Sequence, residues 1–351
     1  MRADDTPAID VAVCVGRFQP FHVGHLSLVR HALDAAPRAV VVIGSAFQAR
    51  SPKNPFTWQE RAQMVRLAVG PDAAARLVFL PVRDFYDEGR WVAAVRDGVA
   101  PHVPPAGTVA LVGHEKDATS AYLRAFPGWV LRPMPRVAHA DGTGVRDALF
   151  GSAPGALDAT LAALVEQLPD STRDFVRAWM ALPHADALRE EWAMLARYRA
   201  AWSAAPYPPV FVTVDAVVQC GGAVLLVRRG AAPGRGLWAV PGGFIEQRET
   251  VYQSAVRELK EETGLDPLDQ TLRSALREVA VFDHPDRSQR GRTITHAHHF
   301  DLGERARPEV AGADDAEEAR WVPIAELAGM EDRFHDDHFH MLDHFLGLTP
   351  R

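Results

Sequence analysis

The stretch GFIEQRETVYQSAVRELKEETGL, Gly243 to Leu265, leaves few structures open to it. Gly242 and Gly243 give the entering loop backbone freedom, helical character begins at Thr250, and Gly264 stands where a helix would stop. On that helix Glu258, Glu261 and Glu262 are spaced i, i+3 and i+4, so their carboxylates share one face. Three clustered carboxylates repel one another and call for a balancing charge. Oxygen-only donors suit a hard cation such as Mg²⁺, which is commonly held by a few carboxylates with water and substrate phosphate. Arg257 and Glu249 could steady the cluster by ion pairing. The plain alternative is a solvated acidic helix face.

The wider pattern argues for the first reading. Gly243, Glu249, Arg257-Glu258-Leu259, Glu261-Glu262 and Gly264-Leu265 together resemble the Nudix box, with each defining position filled. The resemblance implies a hydrolase that cleaves a diphosphate joined to a nucleoside, with Mg²⁺ or Mn²⁺ polarising phosphate and activating water. It assigns the metal to Glu258, Glu261 and Glu262, counts Glu261 and Glu262 among the catalytic groups, and gives Gly243, Glu249, Arg257 and Gly264 supporting roles.

At the other end, IDVAVCVG (9 to 16) reads as a buried parallel strand, and RFQPFHVGHLSLVRHAL turns into a helix beyond Pro20 and Gly24. A strand, a loop and a helix in that order form a place where α/β sheets bind phosphate. His22 and His25 fall in the loop and first helical turn beside Arg17, and offer up to three cationic or hydrogen-bonding donors. Either histidine alone would more commonly be structural. GRFQPFHVGH resembles the His-x-Gly-His signature of nucleotidyltransferases, in the form seen in nicotinamide mononucleotide (NMN) adenylyltransferases. The resemblance implies that His22 and His25 stabilise charge on the α-phosphate of ATP during in-line displacement while Arg17 holds phosphate.

Further βα units follow. AVVVIGSA (39 to 46) is a strand, and Thr57 with Glu60 has the spacing of a capping box. The loop between them carries Arg50 and Lys53, and the family has a basic residue near the mononucleotide phosphate here; two solvated cations are the alternative. LVFLPVRD (77 to 84) ends at Asp84, seven residues before Trp91. In the family an aspartate and a tryptophan orient and stack the nicotinamide ring, but Glu88 and Gly89 stand where an asparagine is expected. TVALVGHEKD and WVLRPMP supply the fourth and fifth strands, the fourth closing on Gly113, His114, Lys116 and Asp117. A helix starting near Thr143 with Arg146 in its first turn resembles the second nucleotidyltransferase signature, Ser-x-Thr-x-x-Arg, which grips the β- and γ-phosphates. Asp141 replaces the serine, an unexpected acid beside a triphosphate.

Residues 156 to 203 read as helices, with Leu161, Leu164, Val165, Leu168, Phe175, Val176, Trp179, Leu195, Tyr198 and Trp202 as apolar positions packing on the first domain. SAAPYPP (203 to 209) reads as a stiff linker. Beyond it, two β-like runs flank a Gly221-Gly222 hairpin turn. Arg228 and Arg229 are either substrate-phosphate contacts or surface cations, and Arg287, Arg290 and Arg292 either meet phosphate or ribose or are solvated loop charges. His296, His298 and His299 lie on a strand where alternation puts neighbours on opposite faces, which argues against a metal site. The spacing of His335, His338, His340 and His344 could bind metal, against which stands an amphipathic end helix whose Phe339, Leu342, Phe345 and Leu346 face inward.

The expectation is therefore an α/β chain: a Rossmann-like, parallel-sheet nucleotidyltransferase domain over 8–185, a helical connection and Pro-rich linker over 186–209, and an α/β/α-sandwich Nudix domain over 210–351. The order resembles bifunctional NMN adenylyltransferase and ADP-ribose pyrophosphatase proteins. Expected small-molecule partners are ATP, as a substrate, with NMN and ADP-ribose. Alternatives for the second half are hydrolysis of NADH or a sugar nucleotide, or a non-catalytic module sensing ADP-ribose. A net charge of −7 and a pI near 6.1 argue against nucleic acid as a partner. The polar start lacks a signal peptide, no apolar run reaches membrane-spanning length, and Cys14 and Cys220 read as buried thiols of a cytoplasmic protein, with a homo-oligomer left open.

Overall fold

A computed structural model describes residues 8–113, 123–135 and 141–350. The chain divides into two compact units, Met1–Arg189 and Glu190–Arg351. His114, Lys116 and Asp117 lie outside the described residues.

In the first unit, β1 (Val11–Gly16), α1 (Val23–Ala35), β2 (Arg38–Ile43), α2 (Trp58–Val69), α3 (Pro71–Ala74), β3 (Leu77–Pro81), α4 (Glu88–Val99), β4 (Val109–Gly113) and β5 (Val130–Pro133) build a five-stranded sheet in the order β3-β2-β1-β4-β5. Every pairing is parallel. The valine-rich strands are buried because helices cover parallel sheets on both faces; Val11, Val13, Val40, Val42 and Leu111 share one core with Val95 and Val99 of α4. The order reverses between β1 and β4, and the carboxyl end of β1 opens at that switch point, where doubly wound sheets bind ligands.

The remaining helices are α5 (Gly142–Phe150), α6 (Leu157–Ala163), α7 (Asp170–Trp179) and α8 (Pro183–Ala201), within which the units divide. Packing of α7 on α2 runs through Trp179, whose ring lies 4.6 Å from that of Phe56 and whose Nε1 donates to Glu60 at 3.1 Å. Two positions depart from the expected inward pattern: Val165 is 48% exposed and Trp202 45% exposed. Val165 follows the end of α6 and Trp202 the end of α8, so helical periodicity no longer governs where they point.

The second unit is a mixed sheet in the order β10-β11-β6-β7-β12. Its strands are β6 (Val210–Cys220), β7 (Ala223–Arg229), β8 (Trp238–Ala239), β9 (Gly242–Phe244), β10 (Leu276–Phe282), β11 (Arg292–Asp301) and β12 (Ala316–Pro323), and its helices α9 (Val251–Thr263), α10 (Asp269–Ala275), α11 (Ile324–Leu327) and α12 (His338–Leu346). Alternation along β6 makes the sandwich. Ala216, Val218 and Cys220 pack with Leu259 of α9 and Leu272 of α10, while Val217 packs with Leu327 of α11 and Phe339 and Leu342 of α12.

The glycine turn forms with φ of 50° at Gly221 and 70° at Gly222, values suited to a two-residue hairpin. Only the last residues of β6 pair with β7, however; the rest of β6 runs parallel to β11 and antiparallel to β9. Arg287 is neither a phosphate contact nor solvated. Its guanidinium meets the Asp337 carboxylate at 2.8 Å through both oxygens, with the two side chains 6% and 3% exposed. Cys14 and Cys220 are both buried and free, one in each unit. Among the described residues no helix is long and apolar enough to cross a membrane.

Candidate active sites

The first candidate site grows from the end of β1. Phe18 is wholly buried against Gly16, where a β-carbon would fall 2.9 Å from its ring, so the chain turns sharply there. Gln19 then clamps the neighbouring loop: its amide donates to the Phe56 carbonyl at 2.8 Å and accepts the Phe56 N–H at 3.0 Å.

His22 is the N-cap of α1 and His25 its third helical residue. They form a reciprocal box, the His25 N–H reaching His22 Nδ1 at 3.3 Å and the His22 N–H reaching His25 Nδ1 at 3.4 Å. Because each Nδ1 accepts, each neutral ring carries its proton on Nε2. The rings stack with centroids 3.6 Å apart. Burial pushes His22 down to about 4, with Asp141 opposing and Arg146 assisting, and burial followed by the His22 ring puts His25 well below the ordinary histidine range. Both are therefore neutral at pH 7; of the two kinds of donor that the sequence allowed, cationic or hydrogen-bonding, they are the second.

Positive charge comes from arginine. Arg17 is exposed, and Arg146 on α5 donates from Nη1 to the Gln19 carbonyl at 2.5 Å and from Nη2 to Thr143 Oγ1 at 3.1 Å. Burial and then Arg17 lower Arg146 to about 10, so it stays charged at pH 7. Asp141 has a local explanation. It is the N-cap of α5, accepting from the Thr143 N–H at 3.1 Å and the Gly144 N–H at 3.0 Å. A β-carbon on Gly142 would lie 3.1 Å from the Gln19 carbonyl and 3.8 Å from His22 Cδ2, so the first turn of α5 sits directly on the histidine loop.

The other residues named for this site come from the segments after β2 and β3 and from α4. Asp84 Oδ2 accepts from Ser45 Oγ at 2.7 Å and Gln48 Nε2 at 2.8 Å. Trp91, on α4, packs into the sheet core with Phe126 edge-on at 5.8 Å. Arg50 is taken up by Glu60, at 2.6 and 2.8 Å, and by the Pro55 carbonyl, while Lys53 lies in the same loop with a partner of its own.

Sequence reasoning missed Arg61. It is 1% exposed, and its guanidinium donates to the carbonyls of Arg17 and Gly44 at 2.7 Å and of Ser45 at 3.0 Å, tying together the segments that leave β1 and β2. Burial lowers it to about 10. An arginine beside Ala62, Met64 and Val65 on the buried face of α2 was the only sequence signal available.

The second candidate site is carried by α9. Thr250 and Gln253 close a capping box at its start, and Gly264, with φ 68°, ends it by donating to the Lys260 carbonyl at 2.9 Å. Arg257 is the hub. It reaches Glu249 at 3.0 Å, Glu258 at 2.9 Å, Glu261 at 2.8 Å and the Phe244 carbonyl at 3.1 Å. A β-carbon on Gly243 would fall 2.5 to 2.8 Å from the Glu258 carboxylate, so glycine there lets β9 meet α9.

The three glutamates are not equivalent. The Glu261 side chain is 47% exposed, whereas Glu262 is 4% exposed, accepts the Gly242 N–H at 3.0 Å and shares a hydrogen bond with Asp315. Burial, then Asp315, pushes Glu262 up to about 9, and burial raises Glu258 as well. Asp315 comes from the turn before β12, nowhere near α9 in sequence, and was not foreseen. Among the described residues no ready-made cage of three ligands exists. The donor set nonetheless fits a hard cation: Arg257 occupies one oxygen each of Glu258 and Glu261, leaving the second, and such ions need only a few carboxylates besides water and substrate phosphate.

Comparison with known proteins covers both units. The family model described as NUDIX domain matches residues 209–345, and that described as cytidylyltransferase-like matches residues 13–79. A nicotinamide/nicotinic acid mononucleotide adenylyltransferase of Acinetobacter baylyi is 37% identical over 122 residues, covering 35% of this chain and 65% of the relative. An ADP-ribose pyrophosphatase of Methanocaldococcus jannaschii is 37% identical over 116 residues, covering 33% of this chain and 63% of the relative. The matches thus span just under two thirds of these two curated relatives. A crystal structure of a bifunctional NMN adenylyltransferase/ADP ribose pyrophosphatase from Francisella tularensis superposes with a TM-score of 0.89 at 34% identity, covering 97% of this chain and 99% of that one. A second structure from that organism, complexed with AMP and a manganese ion, gives 0.88 at 33%, with the same coverage. Because these matches run through both units over nearly the full length of each chain, this protein belongs to the family of bifunctional NMN adenylyltransferase/ADP-ribose pyrophosphatase proteins.

Proposed function

We propose that the first unit joins NMN to ATP, giving NAD and pyrophosphate, and that the second hydrolyses ADP-ribose to AMP and ribose 5-phosphate. The observation that carries this reading is the likeness to the Francisella tularensis protein along both units in the same order. Residues 8–185 and 210–351 are taken as the two catalytic domains, joined by 186–209. The cytoplasm, where these nucleotides are made and used, is taken as the compartment.

In the first reaction a phosphate oxygen of NMN attacks the α-phosphorus of ATP in line. The bond to the β-phosphate breaks and pyrophosphate leaves. Negative charge on the α-phosphate oxygens is met by the Nε2–H groups of His22 and His25, and Arg17, Thr143 and Arg146 hold the leaving phosphates. Asp84 and Trp91 orient the nicotinamide ring, and Lys53 serves the mononucleotide phosphate. Neutral histidines suit this task, since a buried imidazole can donate a hydrogen bond without the cost of carrying charge.

In the second reaction water attacks one phosphorus of the diphosphate, and the oxygen bridging to the other phosphorus leaves. Mg²⁺ or Mn²⁺ held by Glu258, Glu261 and Glu262 would polarise the phosphate and lower the pKa of the attacking water. Arg257 and Glu249 keep the glutamates aimed, and Gly243 leaves room for Glu258.

The test is product analysis of the full chain with Mg²⁺ or Mn²⁺, on ATP plus NMN and separately on ADP-ribose, NADH and sugar nucleotides. NAD formation together with AMP released chiefly from ADP-ribose is expected. Absence of NAD would remove the first half of the reading, and preference for another diphosphate would replace the second substrate.

The cap at α5 makes a further expectation. Serine caps a helix about as well as aspartate, so Asp141→Ser should preserve α5 while removing an exposed negative charge beside the phosphate-holding arginine. The KM for ATP is expected to fall about two- to fivefold, the scale of a surface charge interaction. An unchanged or higher KM would show that Asp141 does not oppose the triphosphate.

A further inference from the structure

Three arginines flank the turn between β10 and β11, and the structure separates their roles. Arg287 is locked to Asp337, and Arg292 donates to the Asp283 carbonyl. Arg290 is different. Its backbone N–H donates to Ser288 Oγ, but among the described residues no acceptor lies within hydrogen-bonding distance of its guanidinium. The guanidinium carbon instead sits 5.7 Å from the centre of the Phe244 ring.

Phe244 belongs to β9 and lies one residue from the glycine that meets Glu258; its carbonyl accepts from Arg257, the hub of the glutamate cluster. The ring is held edge-to-face by Phe211 at 5.9 Å, itself in contact with Tyr198 and Trp202. Gly291 lets the arginine's own loop close on this row, since a β-carbon there would come 3.1 Å from Phe211. Arg290 is thus positioned by an aromatic wall rather than by an acid. Burial, then the charge of Arg229, lowers its pKa, and Asp336, Tyr198 and Asp315 act in the opposite sense. Arg229, at the end of β7, uses Nε on the Pro233 carbonyl. Asp315 is the partner of Glu262, so the electrostatic surroundings of Arg290 extend to the glutamate cluster.

A guanidinium that is partly desolvated, set against an aromatic ring and engaged in no hydrogen bond to the acids around it, Asp336 and Asp315, beside a candidate phosphate-cleaving site is matched to a phosphate. We infer that Arg290 is a substrate-binding residue of the hydrolase site, donating to non-bridging oxygens of the nucleoside diphosphate, with Phe244 as its positioning residue. The inference rests on the proposed hydrolysis of a nucleoside diphosphate derivative by the second unit. It gives Arg290 the task of recognising the diphosphate itself, distinct from the glutamates that would hold the metal.

The experiment is steady-state hydrolysis of ADP-ribose by the full chain with Mn²⁺, comparing wild type, Arg290→Ala and Arg290→Lys, with AMP and adenosine as inhibitors. Loss of a charge-assisted hydrogen bond should raise KM roughly tenfold or more in Arg290→Ala, with kcat changed much less. Lysine should recover part of the loss, because it keeps the charge and lacks the planar fork. Inhibition by AMP should weaken in step with KM, while inhibition by adenosine, which has no phosphate, should not change. Thermal unfolding of each variant checks that the unit stays folded. If wild type hydrolyses ADP-ribose but Arg290→Ala keeps its KM and its AMP inhibition, this inference fails and the proposed activity stands. If the alanine variant weakens AMP and adenosine equally, the role is structural and the inference also fails. If wild type hydrolyses no diphosphate in the panel, the proposed activity fails and takes this inference with it.

Discussion

Replacing Glu262 by glutamine is expected to cut ADP-ribose turnover by about a thousandfold, on the order of the several kcal/mol that a bound metal supplies to a phosphoryl transition state. The substitution is a sharp one because it is nearly isosteric. A glutamine oxygen can still accept the Gly242 N–H, and its amide can still donate to Asp315, so the contacts that hold β9 against α9 survive. What disappears is the ability of the least exposed of the three glutamates, protonated in the metal-free site at pH 7, to give up its proton and offer a charged oxygen to the metal. The readout is kcat for AMP release across a Mn²⁺ titration, in which added metal should recover only part of the loss. A variant that hydrolyses at the wild-type rate would show that Glu262 is a structural acceptor for Gly242 and no more, and would move the metal elsewhere.

In the other unit, His25→Ala should lower kcat for NAD synthesis by about a hundred- to a thousandfold, the usual effect of removing one preorganised donor from a developing phosphoryl charge. KM for ATP should move far less, because the interaction strengthens only as charge builds on the α-phosphate. Alanine also removes half of the reciprocal box with His22, so a weakened α1 could mimic a catalytic defect. His25→Asn separates the two effects. Its side-chain oxygen can replace Nδ1 as acceptor for the His22 N–H, yet it offers no donor at the position of Nε2. Loss of activity in both variants, with unchanged unfolding of the asparagine form, is the expected result. Undiminished NAD synthesis in His25→Asn would assign His25 to helix capping alone.

The limits of each helix were legible where the end was encoded by neighbours. Thr57 with Glu60 marked the start of α2, Thr250 began α9 and Gly264 ended it, because a cap is a bond between residues a few positions apart. The strands were legible as short valine-rich runs, but the order β3-β2-β1-β4-β5 was not, since hydrophobicity says that a strand is buried without saying which strand lies beside it. The same holds for β6. Its glycine turn suggested a simple hairpin, whereas its length is paired mainly to β11, far along the chain.

Charged residues were least legible. Arg287, Arg290 and Arg292 look alike in sequence, yet one is locked in a buried ion pair, one lies against an aromatic ring and one holds a backbone carbonyl. The serine-to-aspartate departure at Asp141 read only as an acid beside phosphate, and its second role as the cap of α5 emerged from the structure.

The sequence by itself determined the two chemical signatures, their order, the residue types they bring and the helices that display them. Those features depend on spacing along a contiguous segment, which backbone geometry converts directly into side chains on one face. Only the tertiary structure decided the electrical state of the sites: that His22 and His25 are neutral, that Arg61 is buried among backbone carbonyls, that Arg257 joins Glu249, Glu258 and Glu261, and that Asp315 meets Glu262. Protonation and pairing follow from burial and from charges brought in by distant segments, and neither exists until the chain has packed.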